Sequence, residues 1–141
     1  MKTFIKCICL IMALVTVMAL PASAQEISPY ASNYFGSHST YLWETSDTSF
    51  QVWFNVTAVG TMTKLGVNYI DIERSSDGVN WNVVKTYSKE NYSNLIASNT
   101  YHHSSYVTYS NRQSGYQYRA YVDFYAKNSS GTASYGAYAY F

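Results

Sequence analysis

Two acidic residues are placed where they could act together. Asp71 and Glu73 lie two positions apart in the segment Val67–Tyr87, VNYIDIERSSDGVNWNVVKTY. Because side chains alternate along a β-strand, both carboxylates would project from the same face. Two carboxylates held across a cleft can cleave glycosidic bonds. A solvated sheet face also carries such residues, and we favour that interpretation. We therefore assign no catalytic residue and keep a glycan hydrolase using Asp71 and Glu73 as the alternative.

The other reactive side chains lack the spacing of a metal or nucleophile site. His102 and His103 are adjacent, so on a strand they would point to opposite faces and could not easily share a metal ion. No cysteine follows Cys9, and the chain contains no H-x-H or H-E-x-x-H pattern. A G-x-S-x-G motif and a glycine-rich phosphate loop are also absent from the sequence. The sequence predicts no metal site and no cofactor.

Aromatic residues are the unusual feature of this chain. They make up 18% of the sequence, and all 16 tyrosines follow the first 24 residues. Rings opposite the aliphatic positions of a strand could stack on sugars or anchor a protein interface. The alternative is that cross-strand tyrosine pairs simply stabilise the sheet. The candidate ligand-binding residues are Trp53, Tyr121 and Tyr125, with Tyr69 and Trp81 added if the hairpin described below has its bulged register.

The first 24 residues have the pattern of a secretory signal peptide. Two lysines precede an apolar run from Cys7 to Leu20, and Pro21–Ala24 supplies small residues for cleavage between Ala24 and Gln25. The alternative is a membrane anchor, for which the apolar run is short. We expect the mature chain, 25–141, to be extracellular and free of the membrane after cleavage.

The mature chain is predicted to be one domain, with an irregular arm at 25–36. Removing the leader would remove both cysteines, so a disulfide-free core must hold the domain together. Loss of Lys2 and Lys6 would leave seven of the nine Lys/Arg against eight Asp/Glu, a formal charge of −1. That balance argues against non-specific nucleic-acid binding. The short leader and missing disulfides favour a bacterial source, and the oligomeric state stays open.

Alternating apolar residues predict strands along the mature chain. The clearest are Phe50–Ala58 and Tyr116–Ala126, where every second residue suits a core. The predicted inward residues are Phe50, Val52, Phe54, Val56 and Ala58 in the first strand, and Tyr118, Ala120, Val122, Phe124 and Ala126 in the second. No stretch after the leader has a helical period. The segment 60–66, which carries Met62 and Leu65, is expected to cross between two sheets. About seven such strands predict an all-β fold, a single antiparallel β-sandwich.

The segment Val67–Tyr87 is predicted to be a hairpin with a tight turn at Ser75–Gly78. The glycine at the fourth turn position accepts a positive φ without steric cost. A type I turn with a glycine bulge sets Glu73 opposite Trp81 and is the form we favour. A four-residue loop would set Ile72 opposite Trp81 and send that ring to the other face. Whether Trp81 is core or surface therefore stays open.

Two segments resemble fibronectin type III and immunoglobulin-like domains. One is the pattern I-x-I-x-R-S-x-D-G-x-x-W at Ile70–Trp81. The other is Tyr116–Ala120 with the following turn Asn128–Gly131, which is similar to the family's strand with its corner tyrosine. A closer resemblance, to small secreted bacterial proteins of uncharacterised function, involves Gly60-x-Met62, Leu65-Gly66, Ile70-x-Ile72 and Val84–Tyr87. These resemblances imply a sandwich fold and carry no activity with them.

Taken together, these patterns predict a small secreted β-sandwich that is not an enzyme. Its expected role is extracellular binding, with a polysaccharide or another surface protein as partner. The alternatives are the glycan hydrolase already described and a secreted protein that antagonises neighbouring bacterial strains.

Overall fold

The structure, a computed structural model, describes residues 33–141, which lie within one compact unit, Ala31–Phe141. The predicted cleavage between Ala24 and Gln25 lies outside the described residues, as does most of the predicted arm at 25–36. The first strand already includes Phe35, whose side chain is buried in the core, so the end of that arm is strand. Within residues 33–141 no helix has the length and apolar character needed to span a membrane.

The described chain is all-β and antiparallel, as predicted. Its six strands are β1 (Phe35–Ser46), β2 (Ser49–Ser75), β3 (Asn82–Ser88), β4 (Ile96–Tyr109), β5 (Gln117–Asn128) and β6 (Gly131–Tyr140). A single turn of 3-10 helix, Ser93–Leu95, precedes β4. The expected number of strands was about seven because β2 was predicted to be two separate strands. The segment 60–66 was expected to cross between sheets, but it stays extended and buries Met62 and Leu65.

Strand β2 organises the sheet because every other described strand except β6 pairs with it. Its first part lies between β1 and β4, and its last part lies between β5 on one side and β4 followed by β3 on the other. Strand β6 pairs with β5. The pairing with β4 is interrupted between Thr57 and Met62, where β2 carries extra residues. Extra residues in one strand bend and twist a sheet, and this sheet curls into a half-barrel.

The hydrophobic core fills the inside of the curl. All ten residues predicted to face inward from the two clearest strands are buried. Strict alternation placed them correctly because a period of two residues puts every second side chain on one face. The last part of β2 adds Ile70 and Ile72, and the 3-10 turn adds Leu95, all of them fully buried.

The two end strands of the curl meet through side chains. Strand order runs β1-β2-β5-β6, so β1 and β6 are at opposite ends. His38 of β1 places its ring centroid 4.3 Å from that of Tyr135 in β6 and 5.0 Å from that of Phe124 in β5. Burial lowers the pKa of His38 below its usual value of 6.5. At neutral pH an uncharged imidazole therefore packs between β1, β5 and β6.

The hairpin between β2 and β3 has neither of the predicted registers. Ile72 pairs with Lys85 and Glu73 with Val83, so neither residue lies opposite Trp81. A bulge between Ile72 and Glu73 shifts the pairing within the strands, and Trp81 precedes β3. The prediction of a tight turn is therefore wrong.

The side chain of Asp77 explains the longer loop. Its Oδ1 accepts hydrogen bonds from the backbone N–H groups of Val79 and Asn80 at 2.9 and 2.8 Å. The Ser75 hydroxyl also donates to Oδ1, at 2.8 Å. Such local bonds offer the backbone an alternative to the strand ladder. Gly78 has a φ of 74°, which confirms the predicted positive φ at this position.

Candidate functional site

The structure divides the five predicted aromatic residues between two outer surfaces. Trp53 lies on the first part of β2, on the side facing away from the core. Tyr69, Tyr121 and Tyr125 lie on the outer side of the last part of β2 and of β5, and Trp81 lies in the adjoining loop. The five residues therefore do not form one continuous face.

Trp53 is the middle ring of an aromatic row, defined here as Tyr41, Trp53 and Tyr106. The three residues lie directly opposite one another on β1, β2 and β4. The rings of Tyr41 and Trp53 are nearly parallel, with centroids 6.2 Å apart, and Tyr106 is 4.5 Å from Trp53 on the other side. The Trp53 indole N–H donates to Gln51 Oε1 at 2.9 Å, which fixes the ring further.

The outer rings of the row are much more exposed than its centre. Tyr41 is 49% exposed and Tyr106 is 41% exposed, whereas Trp53 is half-buried between them. Trp43, two residues beyond Tyr41 on β1, is 61% exposed. The sequence analysis did not select Tyr41, Trp43 or Tyr106 as binding residues. Their exposure depends on strand pairing, for which the sequence gives no local signal.

A second group of rings, the tyrosine surface, consists of Tyr69, Tyr121, Tyr138 and Tyr140. Successive ring centroids along it are 6.0, 5.1 and 6.0 Å apart. Burial and the negative charge of Asp123 raise the pKa of both Tyr69 and Tyr121, so their hydroxyls stay protonated.

A glycine makes the close packing on this surface possible. A Cβ atom at Gly136 of β6 would lie only 2.0 Å from the hydroxyl oxygen of Tyr121 and 2.5 Å from its Cζ atom. The ring of Tyr121 therefore lies over β6 only because position 136 has no side chain.

Trp81 packs against Arg119 at the end of the tyrosine surface. The guanidinium carbon of Arg119 lies 4.3 Å from the Trp81 ring centroid and 4.4 Å from that of Tyr138. Arg119 Nε also donates to Glu73 Oε2 at 2.6 Å. Trp81 is half-buried, so it is not a core residue. It covers an ion pair instead.

The two candidate carboxylates have partners that stabilise the fold. Glu73 is ion-paired with Arg119, and Asp71 accepts a hydrogen bond from the Thr86 hydroxyl on β3. The geometry around Asp71 and Glu73 is that of cross-strand pairing.

The remaining candidates have simple surroundings. Tyr125 lies beneath the ammonium group of Lys89, 4.0 Å from the ring centroid. His103 Nε2 is 2.8 Å from the carbonyl oxygen of Asn94, and its ring packs on Phe54. His102 is exposed. Among residues 33–141 no group of three or more His, Cys, Asp or Glu could hold a metal ion.

Comparison with known proteins gives no relative for this chain. No protein-family model, curated protein or solved structure matches it. The resemblance to fibronectin type III and immunoglobulin-like domains therefore stays a prediction, and any functional proposal depends on the geometry of the chain itself.

Proposed function

We propose that this chain is an extracellular, non-catalytic binding module whose aromatic row and adjoining Trp43 hold a polysaccharide. The observation that carries the proposal is the alignment of three rings across three strands on the outside of the sheet. The rings at the ends of the row are Tyr41 and Tyr106, and both are open to solvent.

Sheet stabilisation alone accounts for part of this arrangement. Trp53 is packed on both sides, so its ring contributes to cross-strand stability. Trp43 is different, because it is 61% exposed and makes no ring contact within residues 33–141. Trp43 and the exposed Tyr41 lie two residues apart on β1 and leave apolar surface in water, which is typical of an interaction site. Sugar rings offer apolar C–H faces that fit such a surface.

We also propose that the chain is secreted and that it folds as a fibronectin-like sandwich. The leader pattern and the lack of cysteine after Cys9 support secretion from a bacterial cell. The fibronectin-like sandwich is supported by two parts of the curl that share β2. One part is β1, β2 and β4, and the other is β2, β5 and β6.

The proposal is tested by binding of purified mature chain, 25–141, to insoluble cellulose, chitin and peptidoglycan. We expect retention on at least one of them, and we expect Trp43→Ala and Tyr41→Ala each to weaken it about tenfold. Tyr101→Ala is the matched control, because Tyr101 is 62% exposed and lies outside the aromatic row.

Either of two results would contradict the proposal. One is equal retention of all three variants, which would mean that the aromatic row is not the binding surface. The other is failure of the unmodified protein to bind any of the three polysaccharides, which would favour a protein partner.

A further inference from the structure

Three lysines surround Tyr125 on the outside of the sheet, and we name this group the lysine pocket. Lys64 of β2 and Lys127 of β5 lie directly opposite each other. Their neighbours in the ladder, Leu65 and Ala126, are buried, so Lys64 and Lys127 project outward, as does Tyr125. The third lysine, Lys89, follows β3 and reaches over the Tyr125 ring.

The arrangement has an unbalanced positive charge. Like charges directly opposite on paired strands destabilise a sheet. The ion pairs among the described residues are Arg112–Glu44 and Arg119–Glu73, and neither includes a lysine of the pocket. Glu90 lies at the rim, where its carboxylate accepts a hydrogen bond from the Ser88 hydroxyl. The lining has three ammonium groups and one carboxylate, and Asp123 is connected to Lys89 through Asn68, so the pocket keeps a net positive charge.

Two of the ammonium groups are held in place by the protein. Lys64 Nζ donates to Ser98 Oγ at 2.8 Å. Lys89 Nζ donates to Asn68 Oδ1 at 2.6 Å, and the amide of Asn68 in turn donates to Asp123 at 2.7 Å. An ammonium group has three donors, so each lysine keeps others for a ligand. A ligand would therefore not have to order these two side chains, which lowers the cost of binding.

The pocket also has an apolar wall, which distinguishes it from a simple anion site. It is an open depression of about 530 Å³, lined by Ile96 and Tyr125 as well as by the three lysines, Glu90 and Ser93. That volume falls within the range typical of small-molecule sites. An inorganic anion would use the ammonium groups and leave the apolar wall in water.

We propose that the lysine pocket binds an acidic sugar of a polysaccharide. The carboxylate of the sugar binds the lysine ammonium groups that line the pocket, and the C–H face of the sugar ring contacts Ile96 and Tyr125. This second site lies apart from the aromatic row, so it adds to the proposed function without depending on it.

The test measures binding of the mature chain to soluble polygalacturonate by affinity electrophoresis at low salt. Lys127→Gln and Lys64→Gln should each weaken binding about tenfold, because each removes a charge-assisted hydrogen bond. Lys85→Gln is the matched control, an exposed lysine on β3 outside the pocket. Trp43→Ala should leave this binding unchanged, which separates the lysine pocket from the aromatic row.

Two further measurements complete the test. The methyl ester of polygalacturonate has the same backbone without the charge, and we expect it to bind much more weakly. The melting temperatures of Lys127→Gln and Lys64→Gln should stay close to that of the unmodified protein, because each change alters one exposed side chain. A lost fold would lower them instead.

Three results would overturn the proposal. Equal weakening by Lys85→Gln would show general electrostatic attraction, and equal binding of the methyl ester would show that the carboxylate is not recognised. Competition by inorganic phosphate as effective as that by monomeric galacturonate would show a site for free anions.

Discussion

At the scale of single residues, His38 connects the packing of the fold to pH. Its ring packs between β1, β5 and β6, and burial lowers its pKa below 6.5. The unfolded chain then takes up a proton at a higher pH than the folded chain does. The free energy of unfolding should therefore fall as the pH drops below about 6.5, and level off once the folded form also binds the proton.

Urea unfolding at about pH 8 and about pH 5 checks this prediction. We expect the unmodified protein to lose stability at the lower pH, and His38→Phe to lose clearly less. His102→Gln is the control, because His102 is exposed. An acid-induced loss in His38→Phe as large as in the unmodified protein would mean that His38 is not the group responsible.

The same residue scale shows what a sequence can reveal about the candidate site. Trp53 was identified from local alternation alone, and it does lie in an outer aromatic row. Tyr41 and Tyr106 join it through pairings of 12 and 53 positions along the chain, which no local pattern encodes. The lysine pocket was missed for a similar reason, since Lys64 and Lys127 meet only through the register of β2 and β5.

At the scale of elements, the loop between β2 and β3 depends on Gly78. Its φ of 74° lies in the left-handed region, and a Cβ atom there would lie 3.0 Å from Gln117 Oε1. We expect Gly78→Val to lower the free energy of unfolding by about 1–2 kcal/mol through backbone strain. The measurement is the midpoint of urea unfolding for the variant and the unmodified protein.

Gly60→Val is the matched control for this prediction. Gly60 lies in β2, and an added Cβ atom there would have no neighbour within 4 Å. The substitution should be close to neutral. Equal effects of the two substitutions would rule out local strain as the cause.

The register of this hairpin shows where sequence reasoning failed. The positive φ at Gly78 was predictable, because glycine in a polar turn sequence is a local signal. The loop length was not, because the Asp77 carboxylate binds two backbone N–H groups and holds the chain away from the strand ladder. The turn residues therefore predict where the chain reverses, whereas the length of the loop depends on the Asp77 side chain.

At the scale of the whole molecule, one long strand places the two candidate sites on different parts of the outer surface. The first part of β2 carries Trp53 in the aromatic row, and the last part carries Lys64 in the lysine pocket. The core residues follow from the alternation of apolar residues along each strand, which is why those of the two clearest strands were predicted correctly. The continuity of β2 through the bend was not predicted, because segment 60–66 was expected to leave the sheet.

The three tryptophans of the chain allow a direct test of the central claim, that the aromatic row is the binding surface. The mature chain contains Trp43, Trp53 and Trp81, so its ¹⁵N-labelled form should give three separate indole N–H signals in NMR spectra. Titration with soluble oligosaccharides of chitin and cellulose should shift the signals of Trp43 and Trp53 and leave that of Trp81 in place. A shift of the Trp81 signal alone, or no shift with any oligosaccharide, would contradict the assignment of the aromatic row as a sugar-binding surface.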